Sequence, residues 1–503
     1  MCALLAGCCL LIQAAGQLPG QGTEGLSAAM ALEQSLTQLI EQSEPSVVSV
    51  ARFRSPPGSL MIDGRGAAQG MNPNQTGRNE LLPNQFAAGV IVAPRESEER
   101  YILTVYHAVR GGPIAGKPGS GDGSRLEVRF FSRHVCPAEI VAADPRSDLA
   151  VLSLDLKDTN LRPAKLRPMA WDSSPPVRKG QLVITLGNPY WIARDGSPSA
   201  GWAMIANLGR RPVALAASSM PGPRTLDGLG GLIHLDARLP IGSSGAPVVN
   251  LTGQLVGLTT SLAAVEGYER SSGFALPIDA STSWIVADLL AGHEVEYGFL
   301  GITPELAPRE RLMLDAVSQP TAALARVVHH LSPAQAGGLL GDDVILAVNG
   351  QATLSELDLM RQVTLHPPDA VVRLTVLRRG NGEPLTLAIK LGKWPAGDDE
   401  GIIATKRKWP LWRGLGVDFP TGREKFFRGD LQRIRPGVLI SEVHPGSAAE
   451  EAMLEAGTYI SHVHRTPVRT PAEFAAAVEA ETGSVTLRVI AADDTTRTVT
   501  VAE

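Results

Sequence analysis

Cysteine is the scarcest residue type in this chain. Of 503 residues only four are cysteines, and Cys2, Cys8 and Cys9 fall within the first ten positions. Cys136 is left alone in the body, so no internal disulfide can staple the mature protein, and its stability must come from apolar cores. A dominant charge is lacking too. Lys and Arg number 46 against 51 Asp and Glu, a net charge of -5, and the basic residues are dispersed, which speaks against nucleic acid as a partner. The densest basic run, Lys406-Arg407-Lys408, lies in a linker and reads as a solvated spacer rather than a binding patch. The apolar leader, Met1 to Gly16, is too short to span a bilayer and has no basic n-region. It reads as an export leader with two processing routes open. One is signal-peptidase cleavage at Ala14-Ala15-Gly16; the other is a lipoprotein box, Leu5-Ala6-Gly7-Cys8, with Cys8 as lipid acceptor. Both lead to the periplasm or cell envelope.

What is present points to several β-rich domains. The length exceeds what one hydrophobic core supports, so two to four domains are expected. Hydrophobic residues at 44% and charged ones at 19% fit a globular chain, and 52 Gly with 37 Pro supply the turns that barrels of short strands need. Leu26 to Gln42 has helical periodicity, with Leu32, Leu36, Leu39 and Ile40 on one stripe. It runs into the strand-like Ser46-Val47-Val48-Ser49-Val50. Ser55 to Gln85, polar and rich in Gly, Asn and Pro, reads as a long loop, either regulatory or a plain surface excursion.

Three segments carry candidate chemistry. In Leu239-Pro240-Ile241-Gly242-Ser243-Ser244-Gly245-Ala246-Pro247, small residues surround a serine inside an apolar, strand-like run. Glycines let the backbone turn sharply and aim its N–H groups at a developing oxyanion. By itself this is an ordinary Gly/Ser/Pro turn. His107 ends the run Tyr101-Ile102-Leu103-Thr104-Val105-Tyr106, and Asp148 precedes the run Leu149-Ala150-Val151-Leu152. Each alone is a structural residue more often than not, but the order His, Asp, Ser, each at a strand edge, is that of chymotrypsin-type double barrels.

At these residues the chain resembles the HtrA/Deg serine proteases, which carry PDZ domains after the protease. Asp236-Ala237 leading into Gly242 to Pro247 resembles their serine motif, and Asp144 to Leu152 their D-x-x-x-D-L-A-V-L motif. Leu186-Gly187-Asn188-Pro189-Tyr190 resembles their G-N-P element, and Ser272-Gly273-Phe274-Ala275-Leu276-Pro277-Ile278 their barrel-closing strand. The resemblance implies a mainly β fold: a chymotrypsin/trypsin-like double β-barrel followed by two small α+β PDZ domains. It implies Ser244 as nucleophile, His107 as base, Asp148 as orienting acid, and the N–H groups of Gly242 and Ser244 as oxyanion hole. Ser243 and Ala246 depart from the family's Asn and Gly, and the Ala246 methyl could constrain the loop. Leu239, where the family has an aliphatic residue, implies small or medium apolar P1 side chains such as Val, Ala or Leu. Arg238 is unusual: facing the pocket it would admit an acidic P1 residue, but it is expected on the rim of S1.

Ser332-Pro333-Ala334 to Leu339, with Gly341-Asp342 and Asn349-Gly350, resembles a PDZ domain opening at Gly298. A second copy opens at Gly414-Leu415-Gly416-Val417 and continues through Pro445-Gly446-Ser447 and Pro471 to Val478. The resemblance implies capture of C-terminal peptides by β-augmentation, with carboxylate loops at Phe299, Leu300, Gly301 and Ile302, and at Leu415, Gly416 and Val417. One copy could serve only to pack against a neighbour. In the second copy His462-Val463-His464-Arg465 stands where an Asn-Gly hairpin is usual. With no third ligand in reach, solvent-facing imidazoles are favoured over a metal site. No cofactor or metal is expected.

The expected limits are a leader at 1–16, a helical segment at 17–44, the protease at 45–292, PDZ domains at 297–393 and 412–503, and a linker at 394–411. The expected activity is endoproteolysis of unfolded or misfolded envelope proteins by a homotrimer or higher oligomer. The alternative is a catalytically weak or inactive chaperone or PDZ scaffold on the same fold.

Overall fold

The computed structural model describes residues 21–54, 61–62, 66–67, 83–157, 159–188, 195–211, 225–240, 242–261, 273–314, 317–380, 382–397, 401–479, 481–491 and 493–503. The leader with Cys2, Cys8 and Cys9, most of the Ser55–Gln85 loop, Pro189, Tyr190, Ile241 and Ser272 lie outside the described residues.

The periodic segment forms an α-helix, Gln21–Ser43. Only its end docks: Leu39 is buried and Leu36 and Ile40 pack on the core, whereas Leu26, Met30 and Leu32 are exposed. Strands β1 (Val47–Phe53), β2 (Gln85–Val92), β3 (Tyr101–Val105), β4 (Arg125–Phe130), β5 (Val135–Asp144) and β6 (Leu149–Leu154) follow. They pair in the order β5-β4-β1-β2-β3-β6, and β5 returns to β6 to close a barrel. A second closed barrel joins β7 (Leu182–Gly187), β8 (Ser199–Arg210), β9 (Leu232–Leu235), β10 (Pro247–Asn250), β11 (Leu255–Thr260) and β12 (Gly273–Pro277) in the order β8-β9-β12-β11-β10-β7. Burial along β5 shows why its sequence changes character. Residues 135–140 alternate exposed and buried, as a strand with one wet face does. Residues 141–144 are buried on both faces, because the helix Ser283–Leu290 and the strand Ile403–Ala404 cover the outside. Cys136 is buried in the first barrel, and desolvation, with Asp155 adding, pushes its thiol up to about 12, so it is an inert packing residue.

Two units of matching topology complete a mainly β fold, a trypsin-like double barrel followed by PDZ domains. In the first, the sheet order is Ile302–Leu306, Ala323–Val328, Val344–Val348, Val371–Leu377, Leu385–Lys390, with the helix Glu356–Thr364 beside it. The second repeats this as Leu415–Asp418, Val438–Val443, Tyr459–Val463, Val485–Ile490, Thr496–Val501, with the helix Pro471–Glu479.

The segment between the two units is not the solvated spacer expected from its charge. Ile403–Ala404 adds to the edge of β5, the Thr405 and Lys406 N–H groups donate to Gly292 O, Lys408 pairs with Asp288 and Glu296, and Arg407 pairs with Glu442. Two of its three basic residues are neutralised by carboxylates of the flanking units. Beneath it, fully buried Lys393 lies 2.9 Å from Glu296, 3.0 Å from Asp418 and 3.1 Å from Glu294, tying the protease end to both PDZ units. Burial alone would raise the Glu294 carboxyl and lower the Lys393 ammonium. The opposite charges prevail: Lys393, Arg423 and Arg146 hold Glu294 down to about 2, and Asp418, Glu294 and Glu296 keep Lys393 above its ordinary value.

Removing one partner of such a cluster strands the others in a dry site. Lys393→Met is expected to cost about 3–5 kcal/mol in urea unfolding and to loosen the second PDZ unit in small-angle scattering. A carboxyl depressed by folding adds stability above its unfolded value near 4.5 and loses it as the pH falls toward 2. Asp418, raised by its burial, works in the opposite direction. The urea midpoint is therefore expected to drop on acidification below about pH 5, and less steeply in Glu294→Gln.

Candidate active site

His107 sits in a single helical turn, Tyr106–Val109, at the end of β3. Asp148 closes the turn between β5 and β6 with φ +57, a left-handed conformation that Asp tolerates better than most side chains. The pair is held by backbone as well as side chain. Tyr106 N–H donates to Asp148 O at 2.9 Å and His107 N–H to Asp148 Oδ1 at 3.0 Å, while His107 Nδ1 is 2.8 Å from Asp148 Oδ2. The Thr260 hydroxyl adds a 3.2 Å hydrogen bond to Oδ2, so a buried carboxylate is satisfied from three sides. An acceptor at Nδ1 fixes the proton there and leaves Nε2 as the basic nitrogen.

The serine turn is built on two glycines. Gly242 and Gly245 have φ +86 and +80. A Cβ at Gly242 would lie 2.2 Å from the Phe86 ring, and one at Gly245 2.2 Å from Ala88 O, so both positions need glycine for conformation and for room. The turn consumes some of its own donors: Ser243 N–H goes to Pro240 O, Gly245 N–H to Thr259 O, and Ala246 N–H to Ser243 O. Among the described residues no hydrogen bond takes the N–H of Gly242 or of Ser244. The backbone O of Ser243 accepts from the Thr259 hydroxyl, a bond that does not depend on the side chain there. The Ala246 methyl is buried where a Cβ on Gly187 would come within 3.0 Å of it, so the absence of a side chain at 187 makes room for the one at 246.

Ser244 Oγ donates to Ser261 Oγ at 3.0 Å, and Ser261 Oγ is 3.5 Å from His107 Nε2. Sequence reasoning missed Thr259, Thr260 and Ser261. Their signal was an apolar strand ending in three consecutive hydroxyl residues. Of the specificity candidates, Leu239 is half-buried against Gly273 and Arg238 is exposed.

At the first PDZ unit, Phe299 to Ile302 borders an apolar cavity of about 280 Å³ lined by Leu359, Met360 and Val363 of the facing helix and by Phe427 and Leu431 of the second unit. The second unit corrects the expected loop. Leu300 O accepts from Ala334 N–H and Gly301 O from His329 N–H; Arg413 O and Gly414 O receive the equivalent bonds from Ala449 and His444. Trp412 to Leu415 thus corresponds to Phe299 to Ile302, while Gly416 and Val417 lie within the strand Leu415–Asp418. A repeat of alternating glycines reads equally well in two registers, and only the cross-strand bonds distinguish them. His462 Nδ1 bonds the Ser461 hydroxyl and His464, at φ +50, forms the hairpin turn; among the described residues no cluster of three ligating side chains gathers there.

The double barrel defines the class, a trypsin-like fold. A trypsin-like peptidase domain model matches residues 87–258, and a PDZ domain model matches residues 298–391. A probable periplasmic serine endoprotease, DegP-like, from Pseudomonas fluorescens is 27% identical over 490 residues, covering 93% of each chain. A protein of the same description from Halomonas elongata is 27% identical, covering 89% of each. Among solved structures, an HtrA-type protease AlgW with tripeptide is 22% identical with TM-score 0.48, covering 72% of this chain and 98% of the other. The chain is a serine endopeptidase that carries a trypsin-like peptidase domain and a PDZ domain and is similar over nine-tenths of its length to DegP-like serine endoproteases.

Gly242→Ala is expected to abolish peptide hydrolysis while leaving circular dichroism unchanged, because the strain and the contact with Phe86 fall on the serine turn. An active variant would show that the turn tolerates a side chain there.

Proposed function

We propose that Ser244 attacks substrate carbonyls with His107 as general base and Asp148 as the acid that fixes its tautomer. The enzyme is exported to the periplasm, as the relatives' descriptions suggest, and its substrates are unfolded or misfolded envelope polypeptides. The observation that carries this reading is the 2.8 Å His107–Asp148 pair, with the Ser261 hydroxyl between Nε2 and Ser244 Oγ. As the acyl intermediate forms, His107 takes the serine proton and returns it to the leaving amine. The N–H groups of Gly242 and Ser244 receive the oxyanion, each donor being worth about 3 kcal/mol. Leu239 favours small or medium apolar P1 residues, and exposed Arg238 stays on the rim.

The first PDZ unit is the peptide-binding one. Its cavity is apolar and bordered by the backbone of Phe299 to Ile302, as recognition of a C-terminal carboxylate beside an apolar side chain requires. The second unit serves packing. Its Leu415 N–H is taken by Trp412 O at 2.8 Å, and the Trp412 ring lies edge-on to Phe474 of the facing helix at 5.8 Å.

Digestion of β-casein tests the catalytic assignment. Ser244→Ala and Asp148→Asn are each expected to lower turnover roughly 10⁴-fold. Equal rates in wild type and Ser244→Ala would refute the assignment. Calorimetric titration of full-length Ser244→Ala with peptides ending in an apolar residue tests the groove. Met360→Lys or amidation of the peptide terminus is expected to abolish binding, and Trp412→Ala to leave it unchanged. Undiminished binding of the amidated peptide would exclude carboxylate capture.

A further inference from the structure

Ser261 stands between the nucleophile and its base. It lies directly after β11, and its hydroxyl is 3.0 Å from Ser244 Oγ on one side and 3.5 Å from His107 Nε2 on the other. Directionality along this row is set from its far end. The Asp148 carboxylate holds the imidazole proton on Nδ1, so Nε2 can only accept. Ser244 donates its proton to Ser261, and the Ser261 hydroxyl then has its own proton to offer to Nε2. The row therefore runs one way, O–H to O–H to N. The strand that leads into it is anchored: the Thr260 hydroxyl bonds Asp148, and Thr259 O accepts the Gly245 N–H of the serine turn at 2.7 Å.

We propose that Ser261 relays the proton between Ser244 and His107. The inference rests on the catalytic reading given above. As Ser244 Oγ bonds to the substrate carbonyl carbon, its proton passes to Ser261 Oγ, the Ser261 proton passes to His107 Nε2, and the carbonyl π pair becomes the oxyanion. Ser261 ends neutral, the imidazole cationic and the carbonyl oxygen anionic, so charge and protons balance. Two protons move together, which a direct transfer from Ser244 to His107 does not require. Hydrogen bonds of this kind shorten when substrate fills the site, which brings the 3.5 Å step into range.

The test is steady-state hydrolysis of a fluorogenic peptide with Val at P1 by the full chain, with proton inventories in H₂O/D₂O mixtures. Ser261→Ala is expected to lower kcat at least about tenfold with KM little changed. Ser261→Thr, which keeps the hydroxyl, is expected to recover near-wild-type kcat. The wild-type inventory is expected to bow downward and that of Ser261→Ala to be linear. A Ser261→Ala enzyme as fast as wild type, a Ser261→Thr enzyme as slow as Ser261→Ala, or a linear wild-type inventory would each overturn the relay. Ser244→Ala separates the two levels. If it remains active, the nucleophile assignment has failed; if it is inactive while Ser261→Ala is unimpaired, only the relay has.

Discussion

The arrangement depends on one buried carboxylate that takes no part in the chemistry. Asp144 is fully buried at the end of β5, where it accepts hydrogen bonds from Arg146 Nε at 3.0 Å, from Ser147 N–H at 2.9 Å and from the Tyr297 hydroxyl. Arg146 in turn donates to Val295 O at 2.6 Å and stacks over the Tyr297 ring. Burial, reinforced by Asp144, pushes the Tyr297 hydroxyl well above its ordinary pKa, which favours the protonated form that donates to Asp144. This network forms the turn that presents Asp148 in its left-handed conformation. An unpaired carboxylate in such a place would be costly, so turn, arginine and tyrosine are retained together.

That turn puts Asp148 and the domain junction on one piece of backbone. Asp148 follows Asp144 by a single turn, and Tyr297 opens the first PDZ unit, where its C=O accepts from Trp394. Lys393, immediately before Trp394, carries the junction on to Glu294, Glu296 and Asp418. Two ionic clusters, one centred on an acid and one on a base, thus flank the same short connector. Each is buried and each spans units far apart in sequence, so the cost of desolvating its charges is recovered only when the units are docked.

Much of this was legible in the chain itself. Apolar runs bounded by Gly and Pro mark the barrel strands, and His107, Asp148 and Ser244 stand out because each interrupts or ends such a run. The illegible parts are those decided by pairing between distant segments. The charge of Lys406-Arg407-Lys408 suggests solvent, but Asp288, Glu296 and Glu442 neutralise two of the three across the fold. The carboxylate loop of the second repeat is displaced because local spacing does not determine which carbonyl meets Ala449. Ser261 has no motif of its own; its significance arises only where the barrel closes and brings β11 beside the turn that holds Ser244.

The short strand Ile403–Ala404 has a mechanical consequence. By joining β5 after the first PDZ unit has been completed, it returns the chain to the protease body. The first PDZ unit is therefore fastened to the protease where it departs, at Tyr297, where its chain returns, at Ile403, and between them where Trp284 bonds Leu365 O. A unit fastened in this way is braced rather than hung, so whatever enters its cavity meets a wall, Phe427 and Leu431, that the second unit supplies.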